Sequence, residues 1–243
     1  MQTDGELIIM NENIFAGLQK LTLLDYPGRV ACTLFTRGCN FRCPFCHNAA
    51  LVTRADEQKM YDNAEILSFL KKRLGVLDGV AITGGEPTLM SGLYDFIKQV
   101  KEMGYSVKLD SNGTRPDVLR RLIDDGLVDY VAMDIKNCRE KYAYTCGLPE
   151  SYDLSKIDES IALLMEGRVD FEFRTTVAKP FHYAEDFLKI GEWLKGDEKF
   201  FLQQFKDSGD IIGQEISSFN EREMEEFLSL LLPFVPNAQL RGV

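Results

Sequence analysis

From residue 62 onward, short apolar runs alternate with amphipathic stretches at helical spacing, and that rhythm restricts the chain to one broad architecture. Asp62 and Glu65 fit an N-cap with a returning carboxylate, and Ile66, Leu67, Leu70 and Leu74 follow on one helical face. Gly79-Val-Ala-Ile-Thr83 reads as a short buried strand. Ser91 opens the next helix, with Leu93, Phe96, Ile97, Val100 and Met103 on one stripe and Gly104 as its stop. Residues 105–110 form a strand, and Pro116 suits the first turn of a helix that ends at Gly126. Strands at 128–135, 169–177, 199–205 and 238–242 then alternate with helices at about 155–166, 184–195 and 220–231. Strands separated by helices of this length specify βα units and a parallel sheet, an α/β fold. Upstream, an N-terminal β element at about 5–29 turns at Asp25 and Pro27-Gly28 and leads into a first core strand at 30–36. No repeat, low-complexity tract or linker interrupts the 243 residues, so a single domain over 1–243 is expected.

The first core strand delivers Cys39-Asn-Phe-Arg-Cys43-Pro-Phe-Cys46. Three thiols spaced four and then three apart can converge on one inorganic centre from a single tight loop. Iron–sulfur cubanes are held by cysteine thiolates, normally four of them. Three would leave one iron open to an outside ligand. Zinc is the competing occupant, because Cys138 or Cys146 could complete the four ligands that a closed structural site wants. His47 is a poor candidate for that role, since adjacent residues rarely both reach one tetrahedral ion without strain. A disulfide framework fits neither the length nor the cysteine density. Cys138 and Cys146 otherwise read as surface thiols, or as a pair of unassigned role. His182 follows the strand at 169–177, where it either reaches a bound ligand or, as loop histidines more often do, is polar surface.

Composition bounds the partners. Hydrophobic content of 45% and charged content of 27% are those of a soluble globular protein. Leu7-Ile8-Ile9-Met10 is too short for a signal-peptide core or a membrane span. A formal charge of −10 argues against a nucleic-acid surface. Neither a membrane nor a nucleic-acid partner is expected. Free clustered thiols suggest a reducing compartment, hence the cytoplasm.

In a parallel βα barrel the active site lies at the C-terminal ends of the strands. Lys108 and Asp110 share one strand face, Asp134 and Lys136 another, and Glu172, Arg174 and Thr176 a third, opposite Phe171, Phe173 and Val177. Opposed charges lining successive strand ends suit a zwitterionic ligand, or pair among themselves as a buried network. Gly84-Gly85-Glu86-Pro87 follows the strand after the cysteine loop, where glycines let backbone approach a ligand closely.

The Cys-x3-Cys-x2-Cys run resembles the signature of the radical S-adenosylmethionine (SAM) superfamily. That resemblance implies a partial (β/α)6-type parallel barrel and a [4Fe-4S] cluster on Cys39, Cys43 and Cys46, with SAM on the open iron. Gly84, Gly85 and Glu86 resemble the superfamily's Gly-Gly-Glu-Pro motif, which contacts the SAM amino group, and Phe45 resembles its aromatic position near the adenine. Gly17 through Lys20, Leu24-Asp25-Tyr26-Pro27-Gly28 and Cys46-His47-Asn48 narrow the resemblance to the glycyl-radical-enzyme activating subgroup. The anaerobic (class III) ribonucleoside-triphosphate reductase activating proteins are the nearest likeness. Asp110, Ser111 and Asn112, and Asp134 with Lys136, resemble subgroup positions that hold a monovalent cation and the SAM carboxylate. Lys136 is the candidate catalytic residue and Arg174 a further cofactor contact. The implied partners are a glycyl radical enzyme and, as electron donor, a flavodoxin or ferredoxin. A radical SAM enzyme acting on a nucleotide or cofactor precursor is the alternative.

Overall fold

The computed structural model describes residues 13–197, 199–207 and 209–243. Eight strands form one sheet whose spatial order follows the sequence. They are β1 (Phe15–Thr22), β2 (Ala31–Thr36), β3 (Gly79–Gly84), β4 (Ser106–Ser111), β5 (Tyr130–Asp134), β6 (Asp170–Val177), β7 (Phe200–Gln204) and β8 (Gln239–Arg241). Only β1 is antiparallel, with Leu18 opposite Leu34; every later pair is parallel. The α/β architecture is therefore an open, mostly parallel sheet of the partial-barrel kind, as the alternation and the family resemblance implied. The N-terminal β element is present as β1, and its expected stretch 5–12 lies outside the described residues.

The helices fall in the βα rhythm: α1 (Ala49–Thr53), α2 (Asn63–Lys71), α3 (Leu93–Glu102), α4 (Pro116–Asp124), α5 (Arg139–Thr145), α6 (Ser155–Met165), α7 (Ala184–Trp193) and α8 (Glu221–Leu231). Apolar stripes explain why they pack as they do. On α3 the buried residues are Leu93, Phe96, Ile97 and Val100, and on α4 Leu119, Leu122 and Ile123. Asp62 caps α2 by accepting the Ala64 N–H. That helix stops short of Leu74, which is half-exposed and not part of the expected buried face. Two short helices, α1 and α5, were not anticipated. Neither carries enough turns for a periodic apolar stripe to emerge.

Parallel pairing sends the C-terminal ends of β2 through β8 to one end of the sheet. The cysteine loop, the Gly-Gly-Glu-Pro turn and the segments after β4, β5 and β6 must therefore meet there. No helix among the described residues is long and apolar enough to cross a membrane.

Phe96 anchors α3 beneath β1, its ring edge-on to Phe15 at 4.6 Å between centroids. Phe96→Ala is expected to cost about 3–5 kcal/mol through the cavity it leaves. Urea unfolding checks this, and a loss below about 1 kcal/mol would show that the contact does not hold the helix.

Candidate active site

The cysteine loop is pinned to the end of β3 by backbone. The Glu86 N–H donates to Gly38 O (2.8 Å) and the Gly85 N–H to Thr36 O (2.9 Å). The Asn48 side chain adds a bond from Nδ2 to Gly84 O (2.8 Å). Side chains have no room here. A Cβ on Gly85 would lie 1.9 Å from Gly38 O, and one on Gly84, at φ 117, would lie 2.4 Å from both the N and O of Thr36. Asn48 is thus a bracing residue to which sequence reasoning assigned no role. Its only signal was its place directly after Cys46-His47.

All three loop thiols line one cavity of about 210 Å³. Cys39 Sγ accepts from the Phe41 N–H (3.3 Å) and, at 3.8 Å, from Asn112 Nδ2. Burial pushes the Cys39 thiol up to about 12 and raises Cys46 as well. Cys43 is lowered, chiefly by the neighbouring Cys146 thiol. Metal ligation requires thiolates, so the Phe41 and Asn112 donors are placed where negative sulfur needs them. Among the described residues no three His, Cys, Asp or Glu side chains converge tightly enough to share one ion. A cubane binds each thiolate through a separate iron and so takes thiols spread around a cavity.

Cys138 and Cys146 were expected as surface thiols, and both are fully buried. Cys138 flanks the start of α5 and donates to Asp186 Oδ1 at 3.5 Å, whereas Cys146 sits against Cys43. The loops around them carry polar residues, which masks the burial in the sequence.

The other candidate cofactor-binding residues also line the cavity, whereas Lys108 and Glu172 do not. Phe45 comes from the cysteine loop, Gly84, Gly85 and Glu86 from the end of β3, and Asp110, Ser111 and Asn112 from β4. Asp134 and Lys136 come from β5, and Arg174 from β6. Glu86 is nearly fully buried. Its Oε1 accepts from the Thr88 N–H (3.1 Å) and Ser111 Oγ (2.9 Å), and its Oε2 from the Asn112 N–H (2.6 Å). The carboxylate thereby ties the β4 loop to the β3 turn, although burial alone raises its pKa.

The strand-end charges form one chain of ion pairs. Lys108 meets Asp110, which meets Arg174 Nη1 at 3.3 Å. Arg174 Nε reaches Asp134 Oδ1 at 2.9 Å, and Lys136 Nζ reaches Asp134 Oδ2 at 2.9 Å. Burial would push both carboxyls up, but Arg174 and the two lysines outweigh it and hold Asp110 and Asp134 below the usual carboxylate range. Within this chain three cations face two anions, and its end at Lys136 opens on the cavity as a point for a ligand carboxylate, with the Glu86 carboxylate on the same lining. Glu172 does not join them. It is buried in a separate pair with Arg241 (2.8 and 2.9 Å) and takes a bond from the Tyr130 hydroxyl.

Phe45 packs against Phe181 and His182 at 5.4 and 6.0 Å between ring centroids. His182, expected on the surface, is buried. Ala178 N donates to its Nδ1 (3.2 Å), so Nε2 carries the proton and donates to Lys136 O (2.9 Å). His182 thereby fixes the backbone that presents Lys136. His47 turns away from the thiols, stacking on Phe205 with Nε2 2.8 Å from Lys206 O. A second cavity of about 240 Å³ shares His47, Thr176 and Gln203 with the first and extends to Gln204, Lys206 and Arg241.

Residues 33–194 match the sequence model described as the radical SAM superfamily. A Methanocaldococcus jannaschii protein whose name assigns it to the glycyl-radical enzyme activating enzymes is 29% identical over 95% of this chain and 96% of its own. A GTP 3',8-cyclase from Helicobacter pylori is 28% identical over 66% of this chain and 43% of its own. Streptococcus suis SuiB, in a crystal structure with S-adenosylmethionine, superposes with a TM-score of 0.66 at 12% identity, over 84% of this chain and 48% of SuiB.

Two outcomes are expected. Gly85→Ala, which drives a methyl group into Gly38 O, should cost about 1–3 kcal/mol and lower the iron bound after anaerobic reconstitution. Unaltered stability and iron content would mean the clamp is dispensable. Burial depresses the His182 pKa, so the unfolded chain binds that proton more readily, and wild-type stability falls as pH drops through about 6.5. His182→Leu lacks the effect. The stability gap between wild type and variant should therefore narrow from pH 7.5 to pH 5.5, by up to about 1.4 kcal/mol per pH unit. A constant gap in urea titrations would refute it.

Proposed function

The chain belongs to the radical SAM superfamily, and from that membership we propose that it activates a glycyl radical enzyme, with the whole chain acting as one catalytic unit. Membership implies a [4Fe-4S] cluster and SAM. When bound, they supply a one-electron reductive cleavage that releases methionine and a 5′-deoxyadenosyl radical able to take a hydrogen atom from a glycine. Cys39, Cys43 and Cys46 would hold the cluster, with the Phe41 N–H and Asn112 Nδ2 already aimed at the Cys39 sulfur. The observation that carries the reading is this: three such thiols open onto the same cavity as the charge chain ending at Lys136.

Lys136, at the open end of the chain of ion pairs, would orient the SAM carboxylate. Backbone at Gly84 and Gly85 would take the amino group, the Glu86 carboxylate being committed to Ser111 and Asn112. Phe45, backed by Phe181 and His182, offers an apolar surface to the adenine. Arg174 holds Asp110 and Asp134 in register, and Asp110, Ser111 and Asn112 are where a monovalent cation would sit. The buried surroundings exclude water from the reacting atoms.

The partner would be a glycyl radical enzyme, most specifically the anaerobic ribonucleoside-triphosphate reductase, with a flavodoxin or ferredoxin supplying electrons in the cytoplasm. End-to-end similarity to a protein named as an activating enzyme supports this. The similarity to a GTP 3',8-cyclase supports a second reading, chemistry on a nucleotide, over a smaller share of both chains.

Anaerobic mixing with the reductase, SAM and a reductant, read by electron paramagnetic resonance, should give a glycyl doublet. Cys39→Ala, Cys43→Ala and Cys46→Ala should each abolish 5′-deoxyadenosine release. Normal release by all three variants would overturn the site. Release in step with a modified nucleotide, and no doublet, would select the second reading.

A further inference from the structure

Besides His47, the two cavities share Thr176 and Gln203. Register sets these side by side: Thr176 on β6 pairs with Gln203 on β7, which pairs in turn with Arg241 on β8. Thr176 also shares a strand face with Arg174, two residues earlier. A polar row thus leads from the ion pairs toward the last strand of the sheet. The cations along it are engaged. Lys136 and Arg174 bond to Asp134. Arg241 turns to Glu172, four residues before Thr176 on β6, and stacks on Phe201. By contrast, among the described residues neither the Thr176 hydroxyl nor the Gln203 carboxamide has a hydrogen-bond partner. Both residues are half-buried in the cavity wall. What the row leaves open is one hydroxyl and one carboxamide, with no net charge.

We propose that Gln203 and Thr176 bind the main chain of the substrate's glycine segment and hold it at the junction of the two cavities. This rests on the glycyl-radical reading above and names the residues that grip its substrate. Glycine offers no side chain for a pocket to seize, so its segment is recognised through backbone N–H and C=O groups. A carboxamide answers both, since its NH2 donates and its oxygen accepts, and a threonine hydroxyl can do either. In this arrangement the Gln203 oxygen takes the glycine N–H. Neighbouring strands lie about 4.8 Å apart, so the two side chains can address adjoining groups of one extended chain. A phosphorylated substrate would instead need cations, and those of this row are already paired.

The test uses anaerobically reconstituted protein with SAM, matched for iron and sulfide, and a dye-labelled peptide centred on the radical-bearing glycine of the reductase. Binding is read by fluorescence anisotropy. Gln203→Ala should weaken it about five- to a hundredfold, the loss of two net hydrogen bonds, and Thr176→Val about two- to tenfold, the loss of one. Thr176→Ser keeps the hydroxyl and should bind as wild type does. A peptide N-methylated at the glycine should lose affinity for wild type and lose less for Gln203→Ala, because both changes remove the same contact. With the whole reductase, KM for radical formation should rise in the same order. Peptide binding and KM unaltered in Gln203→Ala and Thr176→Val would overturn the inference. So would variants that bind the peptide normally and SAM more weakly, since the pair would then face the cofactor. A wild type that modifies a nucleotide and forms no glycyl doublet is a different result, which removes the glycyl-radical reading and this inference with it.

Discussion

The site depends on one close approach, the cysteine loop lying directly on the turn that ends β3. Gly38 O takes the Glu86 N–H while the Cα of Gly85 presses into the same carbonyl region, so the loop cannot move without the turn. Glu86 continues the connection to Ser111 and Asn112, and Asn112 reaches back to Cys39 Sγ. A closed circuit of hydrogen bonds thus runs from the first ligand through two neighbouring strand ends and returns to it. Preorganisation of this kind keeps three thiols spaced for a cluster before one is present.

The charged chain obeys a different logic. Five ionised groups beside a cavity carry a large desolvation cost, and pairing only partly offsets it. A hydrophobic replacement would serve stability as well or better. What the chain supplies is a fixed potential, because each carboxylate sits between two cations and cannot rotate toward solvent. The chain's open end at Lys136 lies at the strand ends, where a parallel sheet gathers ligands. A zwitterion entering there meets a set of partners already oriented, which limits the reorganisation on binding.

How much of this could be read from sequence depended on range. Strands and long helices follow from periodicity, a local property, and α3, α4 and α6 fall within a few residues of their expected bounds. The convergence of the clustered cysteines and the strand-end charges on one cavity was legible because motif spacing and the two-residue strand period are also local. Burial of Cys138, Cys146 and His182 was not legible. Each lies on a connecting segment, and its burial is decided by what packs over it from elsewhere: Asp186 for Cys138, the cysteine loop for Cys146, and Lys136 with Phe45 for His182. Glu172 failed for the opposite reason. The strand period assigned its face correctly, but depth along the strand brought it to Arg241, a residue far away in sequence.

The second cavity bears on what the radical would meet. The two cavities share His47, Thr176 and Gln203, so this side is one route by which a substrate could meet a cofactor held in the first. A nucleoside triphosphate arriving there would bring several negative charges and require converging cations. The cations available are Lys206 and Arg241, and Arg241 is already committed to Glu172 and stacked on Phe201. Gln203 instead offers neutral donors and acceptors, the partners that an extended peptide backbone uses, while the Gln204 amide N–H is taken by Phe219 O at 2.8 Å. A glycine loop needs no pocket for a side chain, so a lining with so few free cations is compatible with the proposed reading, a protein substrate, and would serve a phosphorylated one poorly.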